Sequence, residues 1–259
     1  QIGTSGVKHA FFSTNIFCDC PGGHVLGVGC GDVYSSFNND SDSALGPRNE
    51  INADSGIWDN CGTFFDPEPC TGSQQNFSSN SGQNRLSISP DEIVPNLYMH
   101  AWYLVRDDIN IFNSMGYLQF NPSLTNTTWT MNPEPIANFK NGAALDNYVD
   151  PENIGENEYT QTVETGEGQF TVAVKVVALE GGLYRYNYAI ENYEFDPRFI
   201  SYHIPLSDSS LLIDTLFNDP DQNAENDWQF NHSDGVLTVS GDATNEQDWG
   251  MMFSFSFTT

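Results

Sequence analysis

The stretch from Phe170 to Tyr193, reading FTVAVKVVALEGGLYRYNYAIENY, constrains the fold more than any other part of the chain. Phe170, Val172, Val174 and Val176 alternate with Thr171, Ala173, Lys175 and Val177. That is the two-residue period of a β-strand. Glu180-Gly181-Gly182 follows, and a glycine pair supplies the positive φ of a tight hairpin turn. The return strand sets Tyr184, Tyr186, Tyr188 and Ile190 on one face and Arg185, Asn187 and Glu191 on the other. Valines opposite tyrosines suit a half-buried antiparallel pair. The opposite face carries Lys175 and Arg185, two of only eight basic residues, which either pair with nearby carboxylates or form a partner or anion site.

The rest of the composition points the same way. The 259 residues include 18 Phe, 11 Tyr, 22 Gly and 13 Pro, with few Lys and Ala. Aromatic, Thr- and Val-rich runs favour strands over helices. The chain is long enough to bury a sizeable core without needing a metal or disulfide merely to fold. Thirty-five acidic residues against eight basic ones give a net charge of −27. That repels phosphate, so nucleic acid is not an expected partner, and neither is an anionic membrane surface. Cations are the natural partners, and a solvated acidic surface also suits a salty habitat. No apolar run reaches membrane-spanning length, so no membrane insertion is expected. The sequence opens at Gln1 without Met or a signal peptide, which reads as a mature secreted protein at the cell surface or outside the cell. Asn-x-Ser/Thr triplets at Asn39, Asn76, Asn126 and Asn231 are frequent by chance in an Asn-rich chain.

Along the chain, residues 1–17 read as an extended arm, and residues 31–96 as a long irregular region held by cross-links. Strands are expected at Asn96–Arg106, Met115–Phe120, Thr127–Met131, Glu158–Glu164, Phe199–Leu206, Leu211–Leu216, Trp228–Asn231 and Val236–Ser240. Pro135–Asp146 is the best helix candidate. The closing strand, WGMMFSFSFTT, puts Met251, Phe253, Phe255 and Phe257 on one face and Met252, Ser254, Ser256 and Thr258 on the other. About ten to thirteen strands at this spacing describe an antiparallel β-sandwich, jelly-roll-like or immunoglobulin-like. One continuous domain over 1–259 is expected. A sub-boundary near 147–157 would separate a cysteine-bearing part, 1–146, from a sandwich part, 158–259.

Four stretches together, LGVGCGD at 26–32, LGPRNEIN at 45–52, YRYNYAIEN in the hairpin and the closing DWGMMFSFSF, resemble a loose family of secreted, β-rich proteins of environmental bacteria. The usual form has basic residues in the Ser/Asp segment after the hairpin, which is acidic here. The resemblance implies a secreted β-protein and carries over no activity and no site.

Candidate chemistry is sparse. Cys18, Cys20, His24 and Cys30 can bind a transition metal or form disulfides. Cys61 and Cys70 enclose a loop of the right size for one bridge. Cys30 then pairs with Cys18 or Cys20, leaving an odd cysteine able to join another chain. Asp219, Asp221, Asn223, Glu225 and Asp227 present oxygen ligands at alternate positions, as a Ca²⁺ loop does. Ala224 replaces the turn glycine of an EF-hand and Phe230 its bidentate glutamate, so the motif is not an EF-hand. Asn39, Asp40 and Asp42 form a weaker cluster. No nucleophile elbow, zinc-protease helix or phosphate-binding glycine loop occurs. His100 and His203 sit within expected strands, where a hydrogen-bonded structural role outweighs a base. Tyr98, Trp102 and Tyr103 either stack on sugars or belong to the core.

These features favour an extracellular, non-catalytic structural protein that self-associates at the cell surface or in a filament. Strand addition through the N-terminal arm and the Phe253, Phe255 and Phe257 strand would give a homo-oligomer or polymer, with Ca²⁺ as an optional ligand. A carbohydrate-binding or adhesive module that takes polysaccharide, and a secreted hydrolase or metal-dependent enzyme, are the alternatives.

Overall fold

The computed structural model describes residues 7–8, 13–14, 31–32, 45–46, 48–57, 61–63, 66–70, 90–104, 108–221 and 223–259. The chain divides into two compact units, one of residues 1–3, 52–57 and 88–259, the other of residues 4–51 and 58–87. Residues 147–157 lie inside the first unit. In the second unit, β1 (Val7–Lys8) pairs with β4 (Leu45–Gly46), and β2 (Ser13–Thr14) pairs with β3 (Gly31–Asp32). The Cys61–Cys70 disulfide closes its loop across a Cα–Cα distance of 5.2 Å.

The larger unit is all-β and antiparallel, built as a sandwich. Its first sheet contains β5 (Leu97–Ala101), β6 (Gly116–Thr125), β7 (Thr128–Pro133) and β8 (Lys140–Asn141), with β6 pairing to all three others. The central sheet contains β9 (Glu158–Thr165), β10 (Gly168–Ala178), β11 (Tyr184–Asn192), β13 (Ile213–Asn218) and β16 (Met251–Thr258), in the order β13-β16-β11-β10-β9. The third sheet contains β12 (Ser201–Pro205), β14 (Gln229–Ser233) and β15 (Val236–Ser240), in the order β12-β15-β14. No α-helix occurs among the described residues.

The expected hairpin is present in the expected register. Val172, Val174 and Val176 lie opposite Ile190, Tyr188 and Tyr186. Gly181 and Gly182 turn the chain with φ of +80° and +81°, values that only glycine adopts at no steric cost. The helix expected over Pro135–Asp146 does not form. That stretch holds single 3-10 turns at Ile136–Asn138 and Ala144–Asn147 around β8. Gly142 adopts φ +95°, outside the helical region, and neither turn has a side-chain N-cap. β5 is also shorter than expected and ends at Ala101.

Each face of the central sheet carries a core cluster. On one face Ile190, Phe217, Phe253, Phe255 and Phe257 pack with Trp228, Leu237 and Val239 of the β14–β15 region. Trp228 stacks on Phe217 at 5.7 Å, meets Phe253 edge-on at 5.3 Å, and donates its indole N–H to the Asn245 carbonyl at 2.7 Å. Gln247, fully buried, donates to the carbonyls of Ile190 and Met251, which satisfies it inside the core. On the other face the small Ala173 and Ala189 lie opposite each other and are covered by Ile111, Met115, Ala143, Leu145 and Val149. His100 of β5 meets Glu191 of β11 across this layer, Nδ1 to Oε1, at 3.0 Å, with both side chains about nine-tenths buried. Ser256 and Thr258, on the polar side of the last strand, are therefore buried.

Two expectations follow. Phe253 is fully buried, so Phe253→Ala should lower stability by about 3–5 kcal/mol in urea denaturation. Burial pushes the Glu194 carboxyl up to about 7, partly offset by the Gln169 amide, which donates to it at 2.9 Å. The native state then holds that proton more tightly than the unfolded chain. This stabilisation is complete below about pH 4.5 and is lost as pH rises through about 7. Glu194→Gln should remove a decline of about 2–3 kcal/mol across that window, and an unchanged pH profile would contradict the assignment.

Candidate functional site

The residues singled out in the sequence do not converge. Cys18, Cys20, Cys30, His24, Asn39, Asp40 and Asp42 lie outside the described residues. Phe253, Phe255 and Phe257 do not face a partner. β16 has β11 on one edge and β13 on the other, and the three rings are 2% exposed or less. Within the chain β16 pairs with β11 over Met251–Thr258 and with β13 over Ser254–Thr258, so its edges there are taken up intramolecularly. Lys175 pairs with Glu158 of its own chain at 2.6 Å and lies 5.2 Å from the Tyr148 ring centroid. Arg185 donates to Ser256 at 2.9 Å and to Asn187 at 3.4 Å. The basic spot is thus built into the sheet's own hydrogen bonding.

The acidic loop after β13 is likewise engaged with itself. Asp219 accepts from the Asp221 backbone N–H at 3.0 Å and from the Asn245 amide at 2.5 Å. Burial raises its carboxyl above the ordinary range, against those two hydrogen bonds. Asp221 accepts from the Asn223 N–H and the Asn226 amide, and Asn223 accepts from the Glu225 N–H. These bonds describe successive Asx turns. Among the described residues, the group of three metal-type side chains within 4.8 Å is Cys61, Glu68 and Cys70, and its two sulfurs are already joined to each other. Asp219, Asp221, Glu225 and Asp227 form no such group. Just past the end of β5, Trp102 packs on His100 and Tyr193, while Tyr98 of β5 and Tyr103 beyond it are partly exposed.

What the structure brings together instead is the outward face of the first sheet. His100 points to Glu191 of the central sheet, and its cross-strand partner Tyr117 is buried. Strand alternation then turns Leu97, Met99, Leu118 and Phe120 the other way. The register continues this face through Pro122 opposite Met131 and Leu124 opposite Trp129. Met99 is 50% exposed, Leu124 53% and Trp129 36%. None of these residues belongs to either core cluster. β7 ends the sheet, and residues 121–125 of β6 extend past β5 and β8, so among the described residues they pair with β7 alone. The result is a two-stranded ribbon with open edges and one apolar face. On its other face Asn132 donates to the Asn121 carbonyl at 3.0 Å and to Ser123 at 2.9 Å, which ties the two strands together. Residues 109–133 contain no Asp, Glu, Lys or Arg, in a chain with 35 acidic residues.

The apolar alternation of β6 and β7 was visible in the sequence, as LQFNPSL and WTMNP. What hid the surface was that periodicity marks a face without saying whether anything covers it. Comparisons with family models, with curated proteins and with solved structures give no match.

One local electrostatic contact can be checked directly. The Lys175 ammonium, aided by the Gly155 N–H, holds the Glu158 carboxyl below its ordinary value. Lys175→Met should return the Glu158 titration upward toward that of a free glutamate in a side-chain carboxyl NMR titration. An unmoved value would mean the pair does not persist in solution.

Proposed function

We propose that the chain is an extracellular, non-catalytic structural protein that self-associates through the outward face of β5, β6 and β7. The observation that carries this reading is the exposed apolar, charge-free ribbon on an otherwise strongly acidic protein. Large exposed apolar patches mark interaction surfaces, and open strand edges offer unpaired backbone groups to a neighbour. Two copies, each carrying a net −27, repel one another wherever acidic surfaces meet. The strands β6 and β7 of this surface carry no Asp, Glu, Lys or Arg, so no like charges are brought face to face where they meet a neighbour. A second copy brings the same patch, as a two-fold interface requires. The Cys61–Cys70 disulfide supports an oxidising compartment outside the cytosol.

Sedimentation velocity across a range of protein and NaCl concentrations tests this. Association should strengthen with salt, because screening weakens the like-charge repulsion while leaving apolar contact intact. The double substitution Leu124→Glu and Trp129→Glu should keep the protein monomeric with little change in melting temperature, since both side chains are already solvent-exposed. A wild-type protein that stays monomeric at every salt concentration, or a double variant that associates as the wild type does, would overturn the proposal.

A further inference from the structure

A second surface carries an independent inference. The central sheet's core face is not covered along its whole length. Beyond the third sheet, the end of β9, β10 and β11 opens into a groove of about 310 Å³. Val174 and Val176 form its floor, with Tyr159, Tyr184 and Tyr186 around them and Glu156, Asn157 and Glu158 at its rim. The register explains the assembly: Tyr159 lies opposite Val174, Val176 opposite Tyr186, and Ala178 opposite Tyr184. All of these side chains share one face, so the chain pattern that builds the core also builds the groove. Tyr186 is fixed by stacking on Phe257 at 5.1 Å and 13°. Tyr159 and Tyr184 are each 48% exposed, which is unusual for two aromatic rings at one sheet end.

We propose that this groove binds a small organic ammonium ion. Tyrosine ring faces attract cations through their quadrupole, and aromatic cages are the recurring solution for alkylated ammonium groups. The apolar floor suits methyl or methylene groups, whereas a hydrated metal ion gains nothing from it. The rim supplies the Glu156 carboxylate and no basic side chain, while Glu158 turns its carboxylate to Lys175 on the opposite face of the sheet. The net charge of −27 raises the local concentration of cations and disfavours anionic ligands. Glu158 is shared with Lys175 at 2.6 Å, so Glu156 is the rim carboxylate free of that pairing.

The test compares choline with 3,3-dimethyl-1-butanol, its uncharged carbon isostere, by NMR titration of the full chain. Choline should bind saturably at roughly millimolar Kd, and the alcohol at least about fivefold more weakly. Tyr159→Ala and Tyr184→Ala should each weaken choline binding by about fivefold. Tyr184→Phe should retain it, because the ring face is kept. Glu156→Gln should weaken binding and flatten its salt dependence. Both tyrosines are half exposed, so the variants should keep the wild-type melting temperature, which confirms that they fold. Equal binding of choline and the alcohol would make the groove a merely apolar site. Binding of neutral cellohexaose in preference to choline would make it a sugar site. Indifference to both tyrosine truncations, or no saturable choline binding, would exclude the groove as the site. Any of these results overturns the proposal.

Discussion

Everything in the larger unit hangs on the pairing of β11 with β16 in the middle of the central sheet. Eight consecutive residue pairs run from Arg185–Thr258 to Asn192–Met251. Along one face, Tyr186 stacks on Phe257 and Tyr188 on Phe255, at 5.1 and 4.9 Å and nearly parallel. Such cross-strand aromatic pairs fix register, because a slip of one residue turns every ring to the wrong face. With β10 and β13 on the outer edges of this pair, the most apolar strands of the chain have no exposed backbone.

A sheet with such a centre must cover two faces, and the chain covers them differently. Rings fill one side, around Trp228 and the three phenylalanines of β16. Small residues on the other side, Ala173 opposite Ala189, admit a thin second layer of turns from Ile111 to Val149. The hydrogen bond between the mostly buried His100 and Glu191 ties β5 to β11 of the central sheet across that layer. Near it, burial raises the Asp146 carboxyl, and the charge of Glu191 adds to the effect. Among the described residues, two surfaces keep exposed apolar side chains: the ribbon of β6 and β7, with Leu124 and Trp129, and the tyrosine end of β9, β10 and β11.

Charge gives those two surfaces different meanings. An acidic protein of this kind is soluble because its copies repel one another. The proposed association face lies where charge is locally missing, so no carboxylates are forced together there. The proposed cation groove lies where Glu156 stands beside aromatic rings, so the same field would draw a cation in. One physical property, the excess of acids over bases, therefore separates a surface for a like-charged neighbour from a site for an oppositely charged ligand.

The sequence by itself determined the β-class, the hairpin register, the Gly181-Gly182 turn and the apolar face of the last strand. Each is a local pattern: alternation sets which side chains share a face, and positive φ selects glycine. It also placed the Cys61–Cys70 bridge, whose spacing limits the loop. Only the tertiary structure decided what each face meets. Phe253, Phe255 and Phe257 form an apolar face that the sequence offers for subunit association, and with β13 on the far edge of β16 they lie in the core. Lys175 and Arg185 became partners within the sheet because Glu158 and Ser256 stand beside them. Conversely, Leu124, Trp129, Tyr159 and Tyr184 looked like ordinary strand residues and stayed exposed. Periodicity is a property of one strand, whereas burial depends on which distant strand arrives to cover it, and that pairing is written in no single stretch of the chain.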